Sequence, residues 1–207
     1  VAANLTVHTP IIPLITTSGN TEQTMGIPEK ATQTFKLGVV VQLNAGYVQQ
    51  WDGATYTQGC LGVSLIPASN LASNGLGAPG PFQQIGGNAA IQTYGSVINQ
   101  PNAVNIALGT PITDGRTLVA LANSDTIFEG MVDNSAGAVA SDYTPVQSDV
   151  LKQFGITIDA GGTMYIDRGK TTVGTNTCVQ VTRINPVLGS VVNGLVEFVF
   201  TSPQQYP

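Results

Sequence analysis

Charge is what this chain has least of: Asp, Glu, Lys and Arg make up 9% of its 207 residues, against about a quarter of an ordinary globular protein. Its surface must therefore be built largely from Thr, Asn, Gln, Ser and Gly. Such a surface suits broad, neutral contact with another protein and holds few of the acids and cations that catalysis or phosphate binding requires. The seven basic residues, Lys30, Lys36, Arg116, Lys152, Arg168, Lys170 and Arg183, stand singly, and the net charge is −5. No basic tract exists for a nucleic-acid backbone or an anionic bilayer, so neither is an expected partner. Long apolar runs are missing too. GLVEFVF at 194–200 falls far short of the roughly 20 residues of a membrane-spanning helix, and VAANLTVHTP at the start does not have the pattern of a signal peptide, so synthesis in a cytoplasm is expected.

Histidine and cysteine are nearly absent, which removes most catalytic arrangements. His8 is the single histidine, and its Pro-flanked surroundings predict a surface or contact role over membership of a Ser-His-Asp or Cys-His set. Cys60 and Cys178 lie in strand-like runs without the spacing of a zinc site, and read as buried thiols. GLGAPG at 75–80 matches G-x-G-x-x-G by letter, yet it follows no strand, and Pro79 and Pro81 prevent the helix a dinucleotide loop must open. Asp114, Asp125, Asp133, Asp142 and Asp149 fall in or beside predicted turns, where Asp serves the backbone. DNSAG at 133–137 lacks the ordered ligand spacing of a calcium loop. The expectation is a protein with no catalytic residues, no metal and no cofactor.

What is present is strand pattern. Glycine (24) and proline (12) are plentiful and aromatics are 6%, a mixture that favours many strands and turns. Residues 1–34 read as an extended arm: Pro10, Pro13 and Pro28 break regular structure, while Ile11, Ile12, Leu14 and Ile15 need burial, expected against a partner. From Phe35 the chain reads as a β-rich body, 35–207. FKLGVVVQL places Phe35, Leu37, Val39, Val41 and Leu43 on one face, and with YVQQW and GCLGVSLI it predicts a three-strand meander. The 67–114 stretch reads as a loop-rich excursion. TLVALA and TIFEGMV follow as strands. Ser148 and Asp149 predict a cap on one short helix, VLKQFG, with Val150, Leu151 and Phe154 as its apolar stripe. GITID and TMYIDR form a hairpin around AGG, and VQVTRI and GLVEFVF close the body, with Val179, Val181, Ile184, Leu195, Phe198 and Phe200 near the core. The total is eight to ten strands in an all-β, barrel-like fold. Trp51, Tyr56 and Tyr94 are the alternative: aromatic faces on which a sugar could stack, in a carbohydrate- or receptor-binding module.

The order of elements resembles the head decoration, or cement, proteins of tailed bacteriophages. The resemblance rests on FKLGVVVQLNAGYVQQWDG with GCLGVSL, on TLVALANSDTIFEGMV, on SDVLKQFGITIDAGGTMYIDR with Asp149, Val150, Lys152 and Gly155, and on VQVTRINPVLGSVVNGLVEFVF with its Asn193-Gly194 turn. It covers about residues 35–66 and 115–200. It implies a β-tulip body, an N-terminal arm reaching over neighbours, self-association as a homotrimer, and binding to the major capsid protein on the outer surface of the capsid. The expected function is that of a structural virion protein stabilising contacts between capsid subunits, with a tail or baseplate component as a further alternative.

Overall fold

The computed structural model describes residues 8–17, 23–28, 30, 33–52, 59–68, 116–123, 125–173 and 175–201. Eleven strands fall within them: β1 (Ile12–Thr16), β2 (Thr24–Pro28), β3 (Val40–Asn44), β4 (Tyr47–Gln50), β5 (Gly62–Ser64), β6 (Arg116–Leu121), β7 (Thr126–Asp133), β8 (Gln153–Ile158), β9 (Met164–Asp167), β10 (Val179–Ile184) and β11 (Leu195–Phe200). The fold is all-β and barrel-like, as the sequence predicts. One sheet has the order β1-β7-β11-β10-β8-β9, and a parallel pairing of β9 with β7 closes its last five strands into a barrel. The other has the order β2-β6-β5-β3-β4.

Strand β7 shows why the barrel closes. Its residues alternate, Thr126, Phe128, Gly130 and Val132 buried and Ile127, Glu129 and Met131 half-buried, so one face lines the core and the other looks outward. Phe128 stacks against Phe198 and meets Phe200 edge-on, with ring centroids 6.0 and 5.2 Å apart. A single apolar core joins barrel and second sheet, running from Val39, Val41, Trp51 and Val63 to Ile156, Ile166 and Phe198.

The expected arm is corrected over its described residues. They are extended, but they pair with their own molecule: β1 lies antiparallel to β7 and β2 antiparallel to β6. Between the strands, Thr17 N–H donates to Asp125 O at 2.7 Å and Leu121 N–H to Gln23 O at 2.8 Å. The N-terminal segment is thus a strap laid along 116–133, with one strand in each sheet. Ile11, expected on a partner, is 1% exposed in the core. Gly130 makes its place, because a Cβ there would come within 3.3 Å of Ile11 and 3.2 Å of Phe198.

Three local expectations are also corrected. The 35–43 strand starts only at Val40, after a turn at 37–38, so Leu37 is exposed while Phe35, Val39, Val41 and Leu43 are buried. The meander is not sequential, since β5 pairs with β3 on the side away from β4. The helix over VLKQFG is absent. Two 3-10 turns stand before it, Ala140–Tyr143 and Gln147–Asp149, and then Leu151 N–H donates to Val181 O and Val181 N–H to Lys152 O, at 2.8 and 3.1 Å. A helix of six residues cannot hold itself together, and pairing with β10 supplies the backbone bonds instead. Phe154 still reaches the core, from β8. The 67–114 excursion lies, from 69 onward, outside the described residues.

The β3–β4 hairpin turns through Ala45 and Gly46 at φ 52° and 84°, the positive angles of a two-residue turn that favours Asn-Gly. Ala45→Asn is expected to stabilise the protein by about 1 kcal/mol by relieving the Cβ strain of that conformation. Thermal unfolding checks it, through a rise of about 2–4 °C.

Candidate functional site

Two regions stand out, one buried and one exposed. In the buried one, His8 is held by both ends of the barrel wall. Its backbone N–H donates to Asp159 Oδ2 at 2.8 Å, Nδ1 lies 2.9 Å from the same oxygen, and Nε2 lies 2.8 Å from Asp133 Oδ2. The imidazole stacks on Tyr165 with centroids 4.2 Å apart. Asp133 ends β7, Asp159 opens the β8–β9 turn and Tyr165 is in β9, so the site forms only when the barrel has closed. The expected surface or contact histidine is therefore a buried one, held by its own barrel.

The carboxylates around it are occupied by protein donors. Asp167 Oδ1 accepts Ser135 N–H and Gly169 N–H at 3.1 and 2.9 Å, and Oδ2 accepts the Ser135 and Thr157 hydroxyls, both at 2.6 Å. Partial burial pushes the Asp159 carboxyl up, but the Thr163 amide and His8 outweigh it and hold it below the usual carboxylate range. Burial, with Asp167 and Asp133 nearby, raises the Tyr165 hydroxyl far above its ordinary value. Among the described residues no three His, Cys, Asp or Glu side chains gather as a metal site.

Asp142 and Asp149 serve the backbone, as read from the turns. Asp142 Oδ2 accepts Ala138 and Val139 N–H, bonds that lower its carboxyl. Asp149 Oδ2 accepts Val146 N–H at 2.9 Å and faces Arg168. Asp114 lies outside the described residues. Cys60 and Cys178 are free, buried thiols. Burial pushes Cys178 up to about 12, and burial and then Cys178 raise Cys60, which leaves both thiols unreactive.

The exposed region lies on the outward face of the barrel. Ile12, Leu14 and Ile15 are all exposed on β1, which has one neighbouring strand among the described residues. The register places Ile12 opposite Glu129 and Ile15 opposite Ile127, with a bulge at Leu14 that turns two apolar side chains outward in succession. Across the sheet Glu129 accepts from Asn185 Nδ2 at 2.6 Å, and Glu197 pairs with Arg183, which strengthens the guanidinium's hold on its proton. The acids of this face are thereby engaged within the protein.

Beyond Asn185 the β10–β11 connection carries Val187, Leu188, Val191 and Val192, all exposed, with Val187 at 81%. No charged residue occurs between Arg183 and Glu197. The connection is firmly built: Asn185 Oδ1 accepts Val187 and Leu188 N–H, both at 2.9 Å, and Leu195 N–H donates to Leu188 O at 3.0 Å. Gly189 and Gly194 allow this, since a Cβ on Gly194 would stand 2.2 Å from Gly189 O. The result is a preorganised apolar knob that sequence reading missed. Its signal was the run PVLGSVV between an Asn-Pro and an Asn-Gly, read only as a turn.

Of the predicted site residues, then, Ile12, Leu14 and Ile15 share an exposed face and Ile11 is internal. Trp51, the proposed sugar platform, is 1% exposed and has no free ring face to offer. Tyr56 and Tyr94 lie outside the described residues. In comparisons with protein-family models, curated proteins and solved structures, nothing matches this chain.

Proposed function

We propose that this is a structural, non-enzymatic virion protein that binds the outside of a phage capsid, contacts the major capsid protein and its own copies, and stabilises the joints between capsid subunits. The observation that carries the reading is the outward apolar face: Ile12, Leu14 and Ile15 on an outer strand and four further side chains on the 187–192 knob, on a chain with 9% charge. Exposed apolar groups gathered in this way mark contact surfaces. An outer strand can add to a neighbour's sheet, main-chain bonds giving affinity and side chains selectivity. Each contact is weak, because burying one partly exposed aliphatic side chain contributes on the order of 1 kcal/mol. Many copies on one shell multiply such contacts.

The test is co-sedimentation with purified empty heads. The wild-type protein is expected to bind saturably, and a variant with Ile12, Leu14 and Ile15 all changed to Ser is expected to bind at least about tenfold more weakly, equivalent to about 1.4 kcal/mol. All three side chains are exposed, so the variant keeps its fold, and circular dichroism verifies this. Absence of saturable binding by the wild type defeats the capsid reading. Equal binding by both removes β1 from the contact.

A further inference from the structure

We propose that His8, Asp133 and Asp159 form a proton-held clasp that keeps the N-terminal strap on its own barrel and lets it go when the clasp loses its proton. A carboxylate oxygen offers only lone pairs, while an imidazole nitrogen either donates or accepts according to its proton. Both ring nitrogens of His8 face carboxylate oxygens, Nδ1 that of Asp159 at 2.9 Å and Nε2 that of Asp133 at 2.8 Å. Each line is a bond only if it contains a proton. Ring and two carboxylates therefore share two protons and carry one net negative charge.

Loss of either proton to solvent leaves a nitrogen lone pair against a carboxylate lone pair at that distance. The His8 and Asp133 side chains are 0% exposed and that of Asp159 is 2%, so no water can enter to relieve the clash while the strap stays in place. A charge-assisted bond becomes a repulsive contact in a setting with little screening.

The other titratable groups near the clasp, among the described residues, come from β9, from the residue after it and from the segment before β3. From β9, Tyr165 stacks on the ring with its hydroxyl held protonated, and Asp167 adds negative charge while its oxygens are taken by Ser135, Thr157 and Gly169. From the segment before β3, Lys36 passes the β8–β9 turn, its Cε 3.8 Å from where a Gly162 Cβ would stand. Arg168, next to Asp167, turns to Asp149 and to the carbonyls of Ser141, Asp142 and Thr144.

The sign of the pH dependence follows. A released strap carries an ordinary imidazole, which loses its proton near about pH 6.5. A docked ring that donates at both nitrogens must keep both protons, so docking weakens as pH rises above that value. At the acid end the Asp159 side of the clasp persists, because that carboxyl is held below its usual range. His8 is the first described residue of the strap, and among the described residues β1 has one neighbouring strand, β7, so loss of the clasp loosens the β1–β7 pairing.

Because His8 is the only histidine, its two ring nitrogens can be followed without ambiguity by 15N NMR from about pH 5 to about pH 9, the range in which histidine acts as a switch. Amide exchange is measured on the same samples and corrected for the intrinsic effect of pH. Two protonated ring nitrogens are expected at the acid end. One should be lost in a single step, and protection of the 8–17 amides should fall by up to about tenfold per pH unit as pH rises toward that step, while β10 and β11 stay protected. In His8→Gln the 8–17 protection is expected to be low and free of the step. A ring already neutral at the acid end, or 8–17 protection that does not fall as pH rises toward the step, overturns the proposal. The wild-type titration decides the matter even if the variant does not fold, and it needs no capsid, so its outcome is separate from the reading above.

Discussion

Ile11→Ala is expected to lower the unfolding free energy of the isolated protein by about 2–5 kcal/mol, the range for truncating a fully buried aliphatic side chain. Ile11 is 1% exposed and fills the space beside Gly130, Ile166 and Phe198. The surrounding strands belong to a closed barrel and cannot collapse inward easily, so the cavity term adds to the lost transfer energy. Ile15→Ala, four residues on and half exposed, is expected to change stability by no more than about 0.5 kcal/mol. Urea unfolding measures both, the first as a lower midpoint with an unchanged slope. The contrast separates a strap that belongs to the barrel from an arm that only borrows it. Equal, small effects would mean that the N-terminal segment contributes nothing to the folded body.

Asp167→Ala is expected to cost about 3–5 kcal/mol, since it removes a buried carboxylate and its four charge-assisted hydrogen bonds at once. Its carboxylate accepts two backbone N–H groups and two hydroxyls, and those donors come from the loop after β7, from β8 and from the turn after β9. Removing it leaves the Ser135 and Gly169 amides without that acceptor at the seam where β7 and β9 pair. Asp167→Asn keeps the shape but replaces one acceptor oxygen by a donor, and is expected to cost about half as much. Thermal unfolding of the two variants orders them. If Asp167→Ala were as stable as the wild type, the barrel seam would not depend on this carboxylate.

Alternation made the strands legible. TIFEGMV, VQVTRI and GLVEFVF each carry the two-residue period that a half-buried strand requires, and their predicted core residues Val179, Val181, Phe198 and Phe200 are buried. Turn chemistry set the hairpins at 44–47 and 159–162. The false helix shows the limit of such reading: Asp149, Val150, Leu151 and Phe154 fit a helical cap and stripe as well as they fit a turn and a strand, and the backbone of β10, 30 residues later, decided between them.

The site was less legible, for the same reason. Ile11, Ile12, Leu14 and Ile15 are equivalent as letters; the space beside Gly130 takes the first into the core, and a bulge at Leu14 turns the last two toward solvent together. Asp133 and Asp159 read as ordinary turn residues because their common partner, His8, is 125 and 151 positions away.

By itself the sequence determined the class of fold, the low-charge surface and the residues able to form strands, since periodicity and composition act locally and need no partner. Tertiary structure alone decided that the N-terminal segment straps its own two sheets, that Trp51 is internal, and that a histidine lies between two carboxylates. Each of these depends on which strand pairs with which, and pairing energy is gained only when segments distant in the chain meet.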